Sequence, residues 1–302
     1  MSESTAKRQK RDISGWLVLD KPYDMTSTQA VGKVRWLFGA KKAGHAGTLD
    51  PLATGILPIA LGEATKTVPA VQDGTKLYRF TLGWGVQTTT DDAEGEVVAT
   101  SAHRPAEADV LALLPRFTGA ILQRPPAFSA IKVEGERAYD LARAGEAVVL
   151  APRPVFIERL ALLRHGADGS DFEMACEKGT YVRALARDLA EALGTRGHVT
   201  RLHRAAVGPF SDADAVSLAA LEAEAPAARD GLLLPVAAGL AGLPELRLSP
   251  AQAAVIRHGN AVLLAGAGAP VELGEAWVSC AGAAVALGVV ESGQFKPRRV
   301  LV

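Results

Sequence analysis

Cysteine is scarce in this sequence, with two residues among 302. Cys176 and Cys280 lie far apart and in no metal-ligand spacing, which argues against a disulfide framework and against a cysteine-based zinc site. We therefore expect both to act as small core hydrophobes in a reducing compartment. This cysteine usage predicts a cytoplasmic protein.

Long apolar runs are missing as well. No uninterrupted stretch approaches the roughly 18 apolar residues of a membrane span. The amino terminus, MSESTAKRQKR, is polar and basic, and no apolar segment typical of a secretory signal follows it. Hydrophobic residues make up 48% of the chain and charged residues 22%, which is typical of a globular protein with a core. We expect no membrane partner.

An excess of either charge is also absent, because 33 basic residues balance 33 acidic ones. The distribution is nevertheless uneven. The residues before position 44 carry nine basic and four acidic side chains, a net charge of +5. A second basic run contains Arg183, Arg187, Arg196, Arg201 and Arg204. Local fields decide which partner a surface attracts, so nucleic acid remains one of the candidate partners.

Several catalytic signatures do not occur in the chain. There is no G-x-x-x-x-G-K-[ST], G-x-G-x-x-G, G-x-S-x-G or H-E-x-x-H motif. The usual signatures of nucleotide hydrolysis, dinucleotide redox chemistry, serine hydrolysis and zinc catalysis are therefore missing. His45 and Asp50 could share a metal, but no third ligand is suggested nearby, so we predict no metal site.

A lone carboxylate does stand out, in the glycine-rich, apolar stretch AGHAGTLDPLATGILPIALGEATK (43–66). Asp50 precedes Pro51, and an aspartate before proline often starts a turn by capping local backbone groups. The alternative is a catalytic carboxylate, since glycines permit the close approach of a substrate. Leu49 and Leu52 would desolvate the acid, which would then need a cation to stay ionised. These surroundings favour the catalytic interpretation.

Periodicity predicts a series of short elements. The predicted strands are 15–22, 78–84 and 171–176, and the predicted helices are 26–39, 105–117 and 180–194. We expect residues 96–100 to pair with 78–84 across an acidic turn. Short β-like runs after residue 270 predict a small carboxy-terminal β module.

Six segments, in order, resemble the TruB-type tRNA pseudouridine-55 synthases, a family of pseudouridine synthases. The segments are LDKPYDMTS (19–27), GHAGTLDPLATGILPIALGEATK (44–66), KLYRF (76–80), PPAFSAIKVEGERAYDLAR (125–143), KGTYVRALARDL (178–189) and RLHRAAVGPF (201–210). Together they cover most of residues 15–210. The tail from about residue 243 resembles the PUA-like RNA-binding module that often follows this catalytic domain.

The resemblance implies an α+β fold. We expect a pseudouridine synthase core with a mixed, largely antiparallel sheet flanked by helices, and a small β-rich PUA-like module. The implied domains are a basic disordered arm (1–12), a catalytic domain (13–240) with an insertion at about 123–150, and the PUA-like domain (243–302).

The resemblance also implies the reaction, the isomerisation of uridine 55 in the T-loop of tRNA to pseudouridine. The N1–C1′ glycosidic bond breaks and a C5–C1′ bond forms, without cofactor, metal or nucleotide triphosphate. The implied partner is the tRNA T-arm stem-loop, with no obligatory protein partner. Two alternatives are a chaperone that refolds tRNA and a guide-RNA-dependent enzyme that modifies ribosomal RNA. The short tail and the insertion at 123–150 argue against the guide-dependent alternative.

The resemblance also implies site residues, at the positions of this sequence that match the family's motifs. Asp50 matches the reacting carboxylate, and attack on C1′, attack on C6 and assistance of a glycal route all stay open. Arg183 matches the arginine that keeps this carboxylate ionised, and Tyr78 the tyrosine that stacks on the base. Leu202 matches an apolar pocket wall, and His45 the histidine that fills the space left by the flipped base.

Four further positions complete the predicted site. Lys21, Lys66 and Tyr181 match residues that line the cleft or contact the RNA backbone. Asp92 matches an acid expected to hold the flipped base. One departure from the family pattern is Thr89, which stands where an aspartate is common.

Overall fold

The computed structural model describes residues 10–129, 131–133, 136–137, 150–266 and 268–301. The chain divides into two compact units. The first contains Met1–Asp50, Gly55–Gly74 and Val207–Val302, and the second contains Pro51–Thr54 and Thr75–Ala206. The predicted boundaries at 13, 240 and 243 stay a prediction. Residues 1–9 of the predicted arm and most of the predicted insertion lie outside the described residues.

The elements follow one another in short steps along the described chain. The strands are β1 (Gly15–Lys21), β2 (Ala43–His45), β3 (Thr54–Leu61), β4 (Lys76–Trp84), β5 (Val86–Thr88), β6 (Val97–Thr100), β7 (Gly119–Gln123), β8 (Lys132–Val133), β9 (Glu136–Arg137), β10 (Arg153–Arg164), β11 (Gly169–Cys176), β12 (Gly197–Val207), β13 (Phe210–Ser211), β14 (Val216–Ser217), β15 (Glu245–Arg247), β16 (Val262–Leu263), β17 (Leu273–Cys280), β18 (Ala283–Glu291) and β19 (Gln294–Val300). The helices are α1 (Ser27–Phe38), α2 (Val68–Asp73), α3 (Glu107–Leu113), α4 (Val182–Ala192), α5 (Leu218–Ala223) and α6 (Pro250–Arg257). Short 3₁₀ turns cover Gly62–Lys66, Leu114–Phe117, Asp212–Asp214, Arg229–Leu232 and Val236–Leu240.

Helix α1 begins and ends where its sequence predicts. The Thr26 hydroxyl accepts from the Gln29 N–H at 3.1 Å, and the Gln29 side chain accepts from the Thr26 N–H at 2.8 Å. This reciprocal capping box satisfies two donors that the first turn would otherwise leave unpaired. Gly39, at φ 61°, ends the helix in the left-handed conformation that glycine adopts at little cost.

In the first unit, β1 pairs in parallel with β14 and antiparallel with β3, and β2 pairs antiparallel with β3. The central residues of β1 are buried without alternation, as expected for a strand covered on both faces. Trp16 packs against Phe210 with 5.3 Å between ring centroids, and Ile56 and Val71 belong to the same core.

The first unit also contains a separate five-stranded sheet in the order β15-β17-β18-β19-β16. Its strands pair antiparallel except for the parallel pair β15 and β17. Ile256 of α6 packs with Val278 and Phe295 in its core, and Cys280 lies half-buried against that core. The predicted β-rich carboxy-terminal module is confirmed.

In the second unit the strand order is β12-β4-β11-β10-β7. Strand β4 pairs with β11 along nearly its whole length, from Lys76 opposite Cys176 to Gly83 opposite Gly169. Phe80 stacks on Phe172 at 5.3 Å on the buried face. Cys176 is buried as predicted, and burial raises the pKa of its thiol to about 11.

The predicted pairing of 96–100 with 78–84 is wrong. Strand β6 pairs with the short strand β5 instead. Gly85 separates β4 from β5 with φ 90°, a conformation that redirects the chain, so β5 forms its own hairpin with β6. Strand β4 thus keeps both edges for β11 and β12.

The predicted α+β fold class is confirmed. The strands pair in a mixed, largely antiparallel arrangement together with helices, and the carboxy-terminal strands β15–β19 form a separate sheet. Among the described residues, no helix is both long enough and apolar enough to cross a membrane.

Candidate active site

Asp50 lies half-buried in the irregular loop between β2 and β3. The residue before it is held by a side chain from the start of α1. The Ser27 hydroxyl donates to the Leu49 carbonyl at 3.0 Å and accepts from the Leu49 N–H at 2.8 Å. Pro51 follows and restricts the backbone of Asp50 to extended conformations. The carboxylate is therefore attached to a backbone that is constrained on both sides.

His45 is the last residue of β2, and its backbone lies opposite Ile59 of β3. Its side chain is half-buried. The N–H of the next residue, Ala46, donates to the Pro58 carbonyl at 2.9 Å. This backbone hydrogen bond lies at the start of the Asp50 loop. The histidine thus sits where regular pairing ends and the loop begins.

Lys21 is completely buried at the end of β1. Its ammonium group donates to the carbonyls of Pro22 at 2.9 Å and Met25 at 2.7 Å. A buried ammonium needs such acceptors because desolvation penalises the charge. These bonds fix the turn that leads into α1.

Lys66 forms bonds within the first unit too. Its ammonium group donates to the Glu63 carboxylate at 2.6 Å and to the Val300 carbonyl at 2.9 Å. It therefore links the end of the stretch 43–66 to strand β19.

In the second unit, Arg183 lies in the first turn of α4 and is 5% exposed. Its guanidinium donates to the carbonyls of Thr90 at 3.0 Å and Phe128 at 2.9 Å. The Asp92 carboxylate lies 3.5 Å from its Nη1. Because the planar guanidinium carries five donors, it can hold several acceptors in one orientation.

Asp92 is buried and shapes the turn in which it lies. One carboxylate oxygen accepts from the Glu94 N–H at 3.0 Å and from the Thr90 hydroxyl. Thr89, the departure from the family pattern, closes the same turn, since its hydroxyl accepts from the Glu96 N–H at 3.1 Å. Threonine at this position therefore contributes to the hairpin geometry.

A second arginine on the same helix face, named in the sequence only as part of a basic run, was not among the predicted site residues. Arg187, one turn after Arg183, donates to the Asp91 carboxylate at 2.9 Å and to the Arg124 carbonyl at 2.7 Å. Burial raises the pKa of Asp91, while the charge of Arg187 acts in the opposite direction. The i, i+4 spacing of the two arginines was the available signal, because such residues share a helix face.

The remaining predicted residues belong to the second unit as well. Tyr78 is half-buried on β4, and Leu202 is buried on β12. Tyr181 precedes α4, and its backbone N–H and carbonyl both bond the Gln123 amide, at 2.8 and 3.1 Å. Gln123 thereby fixes the entry to the helix that carries Arg183.

The structure thus brings Arg183 and Asp92 together within the second unit. Asp50, His45, Lys21 and Lys66 belong to the first unit. The predicted ion pair of Asp50 with Arg183 stays a prediction. The described part of the chain contains no cluster of three or more histidine, cysteine or acidic side chains that could hold a metal ion.

Two family models match the chain in succession. Residues 35–182 match the TruB family pseudouridylate synthase N-terminal domain. Residues 183–241 match the tRNA pseudouridylate synthase B C-terminal domain.

Similar proteins extend over nearly the whole chain. A protein of Mesorhizobium japonicum named tRNA pseudouridine synthase B is 52% identical, covering 97% of this chain and 98% of its own length. A protein of the same name from Rhodopseudomonas palustris is 55% identical over 97% of this chain and 82% of its own length. Among solved structures, a Cbf5-Nop10-Gar1 complex contains a chain that matches with a TM-score of 0.74 and 25% identity, over 95% of this chain and 85% of that one. With this coverage and identity, the chain belongs to the TruB family of pseudouridine synthases.

Proposed function

We propose that this protein isomerises uridine 55 in the T-loop of tRNA to pseudouridine and that Asp50 is its reacting carboxylate. The observation that carries the proposal is the stretch 44–66, which resembles the family sequence and holds Asp50 on a constrained backbone. The names of the relatives, which cover nearly the whole chain, support tRNA as the substrate. A tRNA substrate also agrees with the cytoplasmic location predicted from the cysteine usage.

The reaction requires one ionised carboxylate, because a neutral acid could neither attack the substrate nor stabilise a developing oxocarbenium ion. The proposal assigns this role to Asp50 and keeps Arg183 as the cation that maintains its charge. The burial of Arg183 and its carbonyl partners support a fixed cation, since a mobile surface arginine would be screened by water. Attack on C1′, attack on C6 and a glycal route remain the three possible courses.

The target base must leave a folded RNA loop, which costs a few kcal/mol. We assign Tyr78 to stacking on the uracil, Leu202 to the pocket wall and His45 to the space that the base vacates. Asp92 and Tyr181 complete the substrate-binding set. The T-arm stem-loop is the proposed partner, and no protein partner is required for the reaction.

Lys21 and Lys66 receive a different assignment. Their ammonium groups donate to carbonyls of the first unit. We propose that they support the polypeptide on either side of the Asp50 loop and do not bind phosphate.

The test is the substitution Asp50→Asn, with unmodified tRNA and position-resolved detection of pseudouridine. We expect no pseudouridine at position 55 and largely retained tRNA binding, because the amide keeps the shape of the carboxylate and loses its charge. The matched control is Asp24→Asn, an exposed residue of the same unit with φ 58°, a conformation that asparagine also tolerates. It should leave turnover unchanged.

Turnover of Asp50→Asn within about tenfold of the wild type, roughly 1.4 kcal/mol of barrier, would contradict the role of Asp50. Modification of another uridine, or of ribosomal RNA only, would contradict the proposed substrate. Retention of tRNA refolding by the Asp50→Asn variant would show a chaperone activity that is separable from the chemistry.

A further inference from the structure

The loop that carries Asp50 lies outside the regular strands and helices. Regular pairing stops at Ala46 and resumes at Thr54, so residues 46–53 form no strand or helix. Loops without ladder bonds sample several backbone conformations unless side chains hold them. A side-chain anchor on the backbone of this loop would therefore restrict the position of the Asp50 carboxylate.

Ser27 supplies that anchor from the start of α1. It is the first residue of the helix, next to the capping box of Thr26 and Gln29, and is 3% exposed. The hydroxyl uses its single proton on the Leu49 carbonyl and a lone pair on the Leu49 N–H. One side chain therefore satisfies both backbone polar groups of the residue that precedes Asp50.

The surroundings leave this clamp little freedom. Leu49 has a buried side chain, so its backbone groups would be left without water if the hydroxyl were removed. On the other side of Asp50, Pro51 has a fixed φ angle.

We infer that Ser27 is a positioning residue for the reaction: it holds Leu49 so that the Asp50 carboxylate has one orientation. This inference rests on the proposed role of Asp50. It adds a residue of the first helix, 22 positions before Leu49, whose hydroxyl acts through the backbone and not on the substrate.

The test compares Ser27→Ala with Thr26→Ala in the full-length protein. Thr26→Ala removes the cap of the same helix and leaves the Leu49 clamp intact, so it controls for loss of helix stability. We expect kcat of the folded Ser27→Ala variant to fall at least tenfold and its KM for tRNA to stay within threefold. Displacements of about 1 Å can cost on the order of a hundredfold in rate. Thr26→Ala should keep kcat within twofold of the wild type.

Rescue and a physical readout complete the design. Ser27→Thr retains the hydroxyl and should recover most of kcat. Amide hydrogen exchange at Leu49 should be slow in the wild type and in Ser27→Thr, and faster in Ser27→Ala. If Ser27→Ala does not fold, the near-isosteric Ser27→Cys, whose thiol is a weak hydrogen-bond partner, takes its place with the same expected fall in kcat.

A fall in kcat of less than tenfold in the folded hydroxyl-free variant would overturn the inference, as would an equal fall in Thr26→Ala. Unchanged Leu49 exchange in that variant would overturn it as well. Failure of the proposed function has a different signature. In that case Asp50→Asn retains turnover, or the wild type does not modify tRNA, while the exchange of Leu49 still depends on Ser27.

Discussion

Lys66 illustrates that a residue of a motif can also form bonds within the protein that the motif does not reveal. The family resemblance places it among residues that line the cleft or contact RNA. In the structure its ammonium group bonds the Val300 carbonyl and the Glu63 carboxylate. A charged donor to a backbone carbonyl contributes more to stability than a neutral one.

We predict that Lys66→Met lowers the free energy of unfolding by about 1 kcal/mol, because the Val300 carbonyl loses its charged donor. The salt dependence of tRNA binding should not change, because the lysine is not assigned to a phosphate. Urea denaturation and binding titrations at several salt concentrations measure the two effects. Lys66→Arg, which keeps a charged donor, is the control. A drop in the salt slope by about one unit would instead indicate a phosphate contact.

At the scale of elements, ion pairs join three neighbouring strands on the exposed face of the second unit's sheet. Glu173 of β11 accepts from Arg79 of β4 at 3.0 Å and from Arg159 of β10 at 2.7 Å. The two hydrogen bonds, first from Arg159 and then from Arg79, lower the pKa of Glu173. Such pairs on neighbouring strands stabilise their register.

We predict that Glu173→Gln lowers the free energy of unfolding by about 0.5–1 kcal/mol at neutral pH, as for partly exposed ion pairs. Since the pKa is lower in the folded state, the stabilisation exists above the ordinary glutamate pKa of about 4.3 and is lost as the pH falls through the folded-state value. Denaturation of the wild type and of Glu173→Gln between neutral and acidic pH measures the difference in their free energies of unfolding. This difference should shrink towards zero as the pH falls.

The control for this experiment is Glu158→Gln, which changes an exposed glutamate on the neighbouring strand β10. It should change stability little at any pH. A difference between Glu173→Gln and the wild type that persists unchanged in acid would contradict the ion-pair explanation.

At the scale of the whole molecule, the zero net charge conceals an uneven distribution. The exposed basic residues before position 44, together with Arg196 and Arg201, can attract phosphates whatever the total charge, whereas Lys21, Arg183 and Arg204 are buried. Protein–RNA affinity then depends on the release of counterions from the contacted phosphates.

We predict that the affinity for tRNA falls linearly on a log–log plot against salt concentration, with a slope of about −0.7 per single-stranded phosphate contact. Filter binding or fluorescence titration between low and moderate salt measures the slope. Binding of a neutral competitor such as a free nucleoside should show no such slope. A tRNA affinity independent of salt would contradict the local-charge explanation.

Much of the fold was predictable because it depends on neighbours in the sequence. The capping box of Thr26 and Gln29, the stop at Gly39 and the alternation along β4 involve residues a few positions apart. Strand pairing was harder, as the wrong partner predicted for 96–100 shows. A strand's own pattern does not specify its partner, and the left-handed Gly85 redirected the chain.

By itself the sequence determined the family and, through the motif around Asp50, the candidate carboxylate with its glycines, leucines and proline. Only the tertiary structure decided which hydrogen bonds hold the Asp50 loop and the other buried polar side chains in place. Ser27 clamps Leu49, Arg187 bonds Asp91, and Lys21 lies among carbonyls. The sequence positions of hydroxyl and guanidinium groups show no periodicity from which their hydrogen-bond partners could be predicted. The partner is fixed only when the folded backbone excludes water and leaves one acceptor within reach.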